Sequence, residues 1–362
     1  MTTSGAQSSG QATRRSILGR GLLQGQSALV IVILGVVFAL GCIVFGPTFY
    51  GTYNISTMLV YNSMFAFMAL GETFVIITGG IDLSVSFVAV LSSMLAAWFS
   101  RFGLLPAVFL TLFVATLIGL FNGWMVARLK IQPFIATLIT YMGARGLALI
   151  MPKIFAIYLP AIFSSTPTTF WANNVADYSI SIDRTKNFQT IVGNLGVIPI
   201  PIILIVLTYV IGAILLQYSR FGRHTLAIGG NEEAAVLMGL PVVRTKMLVY
   251  AMSGMLAGLA GVILAARSGS ALPTEGVGWE LQAISAVVVG GTLLTGGQGS
   301  VVATLMGVLL LGLIFNILNF IHIGDFTLTV YWQSVVRGTF LFLVVLLQRP
   351  WSNKGGRSPG KT

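Results

Sequence analysis

Charge is what this 362-residue chain has least of: Asp, Glu, Lys and Arg together make up 8% of it, against 56% hydrophobic residues. Soluble domains carry roughly 25% charged residues, so a water-soluble globular protein is excluded and an integral membrane protein is expected. There is one cysteine, Cys42, inside an apolar run, which rules out an intrachain disulfide and a thiolate metal cluster. The two histidines, His224 and His322, fall on opposite expected sides of the membrane and cannot share a metal. No nucleophile, base and metal constellation occurs, so no catalytic residue, no metal site and no enzymatic activity are expected. Basic patches interleaved with aromatics are also missing, so the formal charge of +11 does not point to nucleic acid. It fits the cytoplasmic bias of Lys and Arg in membrane proteins.

What the chain has instead is long apolar runs. Scanning for about 20 mostly apolar residues gives about ten spans: Ala28–Phe45, Ile55–Thr78, Leu83–Phe99, Leu104–Ala127, Phe134–Met151, Pro199–Gln217, Met247–Ala266, Leu281–Gly296, Val301–Ile321 and Leu328–Leu347. The expected fold is an all-α polytopic membrane helix bundle with both termini cytoplasmic. Residues 1–27 read as a disordered cytoplasmic tail rich in Ser, Gly, Gln and Thr, 28–348 as the transmembrane domain, and 349–362 as a cytoplasmic C-terminal tail. Arg14, Arg15 and Arg20 precede the first run as in a secretory signal, but many spans follow, and an uncleaved first helix is expected.

Positive charges fix the orientation. One side holds Arg14, Arg15, Arg20, Arg128, Lys130, Arg220, Arg223, Arg244, Lys246, Arg349, Lys354, Arg357 and Lys361; the other holds Arg101, Lys153, Arg184, Lys186 and Arg267. The first set is cytoplasmic by the positive-inside rule. The long segment 152–198 then lies outside, as part of a docking surface.

Between the sixth and seventh spans lies the cytoplasmic stretch 229–240, GGNEEAAVLMGL. Its punctuation is that of a small helix. Asn231 can cap the first turn, Glu232 and Glu233 suit the positive end of the helix dipole, Gly239 can end it, and Pro241 prevents a restart. Ala234, Ala235, Val236, Leu237 and Met238 give it an apolar face, which serves either to dock a partner or merely to connect two spans.

Two glycine-rich breaks interrupt the apolar runs. One contains Gly79, Gly80 and Asp82 ahead of Ser84, and the other runs from Val289 through Gly290 and Gly291 to Gly299. Such paired breaks are where transporters place gates, although Asp82 also reads as the cap of a tight turn. Polar groups on spans are candidates for a translocation pathway: Asn62, Glu72, Asn122, Arg145, Asn316, Gln333 and Arg337, with Glu280 near a span end. The competing reading is interhelical hydrogen bonding. Gly254, Gly258 and Gly261 have small-residue spacing for close helix contact. The final GGRSPGKT, 355–362, matches a phosphate-loop pattern but lacks the strand before it and the helix after it. No nucleotide or other cofactor is therefore expected on this chain, and uphill transport would draw on an ion gradient or on another subunit.

Taken together, several stretches carry a family resemblance: LGETFVIITGGIDLS at 70–84, Asn122-Gly-Trp124, IQPFIATL at 131–138, GRHTLAIGGNEEAA at 222–235, AVVVGGT at 286–292 and GQGSV at 297–301. They resemble the permeases of bacterial monosaccharide ABC importers of the ribose, galactose and xylose type, over roughly Ile55 to Leu347. The resemblance implies a multi-pass protein of the bacterial inner membrane. It also implies a second permease subunit, identical or similar, a partner ATPase carrying ATP and Mg, and a periplasmic or lipid-anchored sugar-binding protein. By matching position, Asn231, Glu232, Glu233, Ala234, Ala235 and Gly239 would form the coupling helix that enters the ATPase. Ser86 departs from the pattern, which commonly has Gly there. An ion-coupled secondary transporter or channel stands as the alternative, as does a related permease for a nucleoside, polyol or branched-chain amino acid.

Overall fold

The computed structural model describes residues 25–157, 180–183, 187–196, 198–323 and 326–327, with the single positions 332, 335, 338, 339 and 342. The chain is an all-α helix bundle. Its helices are α1 (Gly25–Phe45), a short α2 (Pro47–Tyr50), α3 (Thr52–Ile77), α4 (Val85–Phe99), α5 (Leu104–Ala127) and α6 (Pro133–Ile157), followed by α7 (Ile200–Tyr218), α8 (Arg220–Gly230), α9 (Glu232–Leu237), α10 (Val242–Ser268), α11 (Trp279–Val289) and α12 (Val301–Phe320). Among the described residues, eight helices are long and apolar enough to cross a membrane: α1, α3, α4 with the 3-10 turn that continues it to Phe102, α5, α6, α7, α10 and α12.

Position in the bundle follows polarity. In α1, an almost unbroken apolar run, 11% of the span is buried, whereas in α3, which carries Asn62, Ser63, Glu72 and Thr73, 89% is buried. Polar side chains need partners that lipid does not supply, so the helices bearing them move inward. Helices α3, α4 and α10 form the centre; α5, α6 and α7 lie outside them, and α12 closes against α1, α3 and α11.

Small residues set the tightest contacts. A Cβ on Gly123 would sit 2.7 Å from Met247 Cα, and one on Gly258 would sit 2.6 Å from Ala115 Cβ. Gly119 and Gly254 face each other across the same α5–α10 seam. Gly261 receives α4 instead, with Ser92 Cβ 2.6 Å from the place a side chain would start. At these positions only glycine permits the approach.

Several boundaries differ from the sequence reading. The expected span Leu281–Gly296 is replaced by the eleven-residue α11, followed by a glycine turn. At 1.5 Å per residue α11 is about 16 Å long, half of a hydrocarbon core of about 30 Å. Apolar composition ran on through Gly290, Gly291 and Gly296 and hid the stop. Helix α6 continues to Ile157 with Pro152 inside it, so the segment beginning at 152 is helical at its start. The only other described residues of 152–198 are 180–183, 187–196 and 198. They include a two-residue strand β1 (Ile180–Ser181), paired antiparallel with β4 (Ser270–Ala271), and a hairpin of β2 (Asn194–Leu195) with β3 (Ile198–Pro199). A last pair, β5 (His322–Ile323) with β6 (Phe326–Thr327), follows α12. The tail before residue 25, the tail 349–362 and most of the span Leu328–Leu347 lie outside the described residues.

Candidate functional site

The stretch 229–240 straddles two helices. Gly229 and Gly230 end α8, and a six-residue α9 follows at once. Asn231 is extended (φ −162°), and its Oδ1 accepts a hydrogen bond from Ala234 N at 2.9 Å, which satisfies a donor of the first turn. Glu232 and Glu233 occupy that turn. At the other end Gly239 is left-handed (φ 73°); its N–H bonds Val236 O, and Leu240 N–H bonds Ala235 O at 3.0 Å. This double closure is the Schellman stop.

A helix this short is not stable alone. Its hold on the bundle is Ala235, fully buried with Ile228, Val242 and Leu240, together with the Glu232–Lys246 ion pair at 2.6 Å to α10. The outer face is apolar and open: Val236 is 57% exposed, Leu237 87% and Met238 67%.

Directly behind α9 the two glycine breaks meet. Gly297 N–H donates to Ile77 O at 2.9 Å, which ties the second break to the end of α3. Gly296 and Gly297 are both left-handed, and a Cβ on Gly296 would lie 2.9 Å from Gly79 N and 3.0 Å from Gly229 O. A Cβ on Gly229 would overlap Ile77 O and come 2.5 Å from Gly297 N. Backbone from α3, α8 and the loop before α12 is thus in direct contact. Of the expected break residues, Gly79 and Gly291 take positive φ; Gly80 admits the Tyr250 hydroxyl, and Gly290 admits the Ala303 backbone. Gly229, Gly296 and Gly297 stood in the quoted stretches but were not singled out. The signal was there, as glycine pairs with no turn of their own to explain them. A cleft of about 150 Å³ opens between this junction and α9, lined by Thr78, Gly79, Gly80, Val126, Pro133, Glu232, Lys246 and Tyr250.

Asp82 sits above the junction, buried. Its Oδ1 accepts from Ser84 N at 3.0 Å and Ser84 Oγ at 2.6 Å, and its Oδ2 accepts from Ser253 Oγ at 2.9 Å. Asn122 Nδ2 donates to Ser84 Oγ at 2.8 Å, and Thr140 Oγ1 donates to Asn122 Oδ1. One chain of hydrogen bonds therefore joins α10, the first break, α5 and α6. Asp82 acts as a turn residue and Asn122 as an interhelical bond.

The other expected pathway residues separate in the same way. Asn62 Nδ2 bonds Met58 O at 2.9 Å, and its side chain fills the space left by Gly312 on α12. Asn316 forms a reciprocal amide pair with Asn54, at 3.0 and 3.1 Å. Glu72 is different: it is fully buried and neither carboxylate oxygen has a hydrogen-bond partner. Arg145 is exposed on α6, its guanidinium 5.4 Å from the Phe87 ring. Gln333 and Arg337 lie outside the described residues. Among the described residues no three His, Cys, Asp or Glu side chains gather as a metal site.

The helical membrane bundle is what the comparisons with known proteins bear on. A family described as "Branched-chain amino acid transport system / permease component" matches residues 54–345. The chain is 40% identical over 308 residues to the ribose import permease RbsC of Bacillus subtilis, covering 84% of this chain and 88% of that one. It is 35% identical to the fructose import permease FruG of Bifidobacterium longum, covering 94% of each chain. It is 34% identical to the L-arabinose transport system permease AraH of Escherichia coli, covering 96% of this chain and 97% of that one. No solved structure matches. With its multi-pass helix bundle and a match over most of its length, the chain belongs to this family of transport-system permease components.

Proposed function

We propose that this chain is the membrane permease of an ATP-binding cassette importer that carries a monosaccharide across a bacterial cytoplasmic membrane. The single observation that carries the reading is α9: a helix capped at both ends, with Val236, Leu237 and Met238 facing outward and its base joined through Gly229 to both glycine breaks. This is a docking element with a rigid link to the places where the spans are interrupted. The nearby Arg128, Lys130, Arg220, Arg223, Arg244 and Lys246 support a cytoplasmic position for it by the positive-inside rule.

In this reading a partner ATPase receives α9, and ATP with its Mg stays on that partner. A loaded binding protein docks on the opposite side. Closure of the ATPases shifts α9, and the junction passes the shift to α3 and to the loop before α12, exposing the pathway alternately to either side. A second permease subunit completes the translocation unit. Monosaccharide is favoured over amino acid because the relatives, matched over 84% to 96% of this chain, carry sugar names: ribose, fructose and arabinose.

The test is reconstitution into liposomes. Uptake that requires ATP, the ATPase and the binding protein supports the reading. Uptake by the permease alone, driven by an ion gradient, overturns it in favour of a secondary transporter.

A further inference from the structure

A second set of residues, away from α9, has the chemistry of a solute site. After α10 the chain passes β4 and turns inward through Gly276 (φ 92°) and Gly278 (φ 80°) to begin α11 at Trp279, whose ring meets Phe65 edge-on at 5.6 Å. Phe65 lies about half way along α3, so α11 starts in the middle of the bundle rather than at its edge. The first turn of a helix presents N–H groups and a partial positive charge, and there it holds Glu280.

Glu280 is 92% buried, being 8% exposed, and its Oε2 has no hydrogen-bond partner. Ser86, in the first turn of α4, is fully buried. Its Oγ lies beside the Glu280 carboxylate and has no other hydrogen-bond partner. Next to Ser86 in sequence, Phe87 packs edge-on against Tyr141 of α6 at 4.7 Å, and Arg145 reaches the outer face of the Phe87 ring. Tyr141 is within electrostatic reach of both Glu280 and Arg145. A buried polar group without a partner costs roughly 1–3 kcal/mol. The unpartnered Glu280 Oε2, with the Ser86 hydroxyl beside that carboxylate, therefore marks a place where a ligand supplies the missing hydrogen bond. Hydroxyl groups suit it best, because each can donate to the carboxylate and accept from the serine. The apolar CH face of a sugar ring suits Phe87 and Tyr141.

We propose that Glu280, Ser86, Phe87, Tyr141 and Arg145 form a transit site for a neutral polyhydroxylated solute, at the inner start of the half-length helix α11. This rests on the importer reading above, and Glu280 and Ser86 are assigned as the hydroxyl contacts.

The experiment uses the complete importer, permease with its ATPase and binding protein, in liposomes, with radiolabelled D-ribose, D-fructose and L-arabinose as probes. Glu280→Ala is expected to lower uptake of the best probe about tenfold, the loss of one hydrogen bond to a charged group. Ser86→Ala removes one oxygen whose sole neighbour in hydrogen-bond reach among the described residues is Glu280, so the complex is expected at normal yield, with a changed order of preference among the three sugars. Glu280→Asp is expected to restore part of the uptake that Ala loses. Wild-type preference and rate in both Ser86→Ala and Glu280→Ala overturn the site while leaving the importer reading intact. A wild-type complex that imports none of the three sugars overturns both.

Discussion

Substitution of Gly229 by Ala is the sharpest test of the junction behind α9. In an exposed helix the change is favourable by up to about 1 kcal/mol. Here the new Cβ would overlap Ile77 O and lie 2.5 Å from Gly297 N, both of them backbone atoms that cannot rotate away. Relief requires α8 to separate from the end of α3, which also breaks the Gly297 N–H bond to Ile77 O. Overpacking costs about 1–3 kcal/mol, and a buried donor and acceptor left apart add about 1–3 kcal/mol. Net of the helix gain, roughly 1–5 kcal/mol of destabilisation is expected. The neighbouring Gly230 has nothing within 4 Å of its would-be Cβ, so Gly230→Ala serves as the control. The assay is thermal unfolding of the detergent-solubilised permease together with uptake by the reconstituted importer. Gly229→Ala should melt lower and transport poorly, and Gly230→Ala should match wild type in both. Equal melting and uptake for the two variants would refute the idea that α8 is locked to the glycine breaks.

Three further outcomes are expected. Glu232→Lys with Glu233→Lys reverses the charge of the first turn of α9; membrane insertion should stay normal while co-purification of the ATPase and uptake fall, and undiminished uptake would count against the docking role. Asn122→Ala leaves Ser84 and Thr140 without their shared partner, so thermal unfolding should register a loss of about 1–3 kcal/mol; an unchanged melting curve would contradict the network drawn around Asp82. A double-mutant cycle on Asn54→Ala and Asn316→Ala should return a coupling of at least about 0.5 kcal/mol, and additive effects would show that the amide pair contributes nothing to joining α3 to α12.

Much of the architecture was legible because lipid imposes a simple length rule on apolar runs. The Asn231 cap and the Gly239 stop were also legible, since capping depends on a few adjacent residues whose chemistry has local meaning. The α11 boundary was not: Leu281 to Gly296 is mostly apolar and carries no charge, and a helix end written in glycine looks the same to a hydropathy scan as a helix interior. The fate of the polar residues was hidden for another reason. Asn62, Asn122, Asn316, Glu72 and Arg145 carry the same kind of signal in the sequence. Asn62 finds its partner on its own helix, at Met58 O, whereas those of Asn122 and Asn316 come from far along the chain. Glu72 finds none. Ser86 illustrates the same limit: the sequence marks it as a departure from the family pattern, but its burial beside Glu280 shows only in the fold.

The shortness of α11 bears on how the protein is made. Eleven residues offer the insertion machinery about half of the apolar length that a spanning segment needs. The chain just before it, from Leu272 to Gly278, is not helical, and exposing its backbone amides to lipid would be costly. This region therefore enters the membrane by following its neighbours: α10 and α12, each long and apolar enough to insert independently, must already be in place to shelter it. Nascent chains stopped before α12 should leave the segment between Ser270 and Gly299 accessible to aqueous labelling reagents, and chains extended through Phe320 should protect it. On this account the α11 region settles into the bundle only after α12 has entered the membrane.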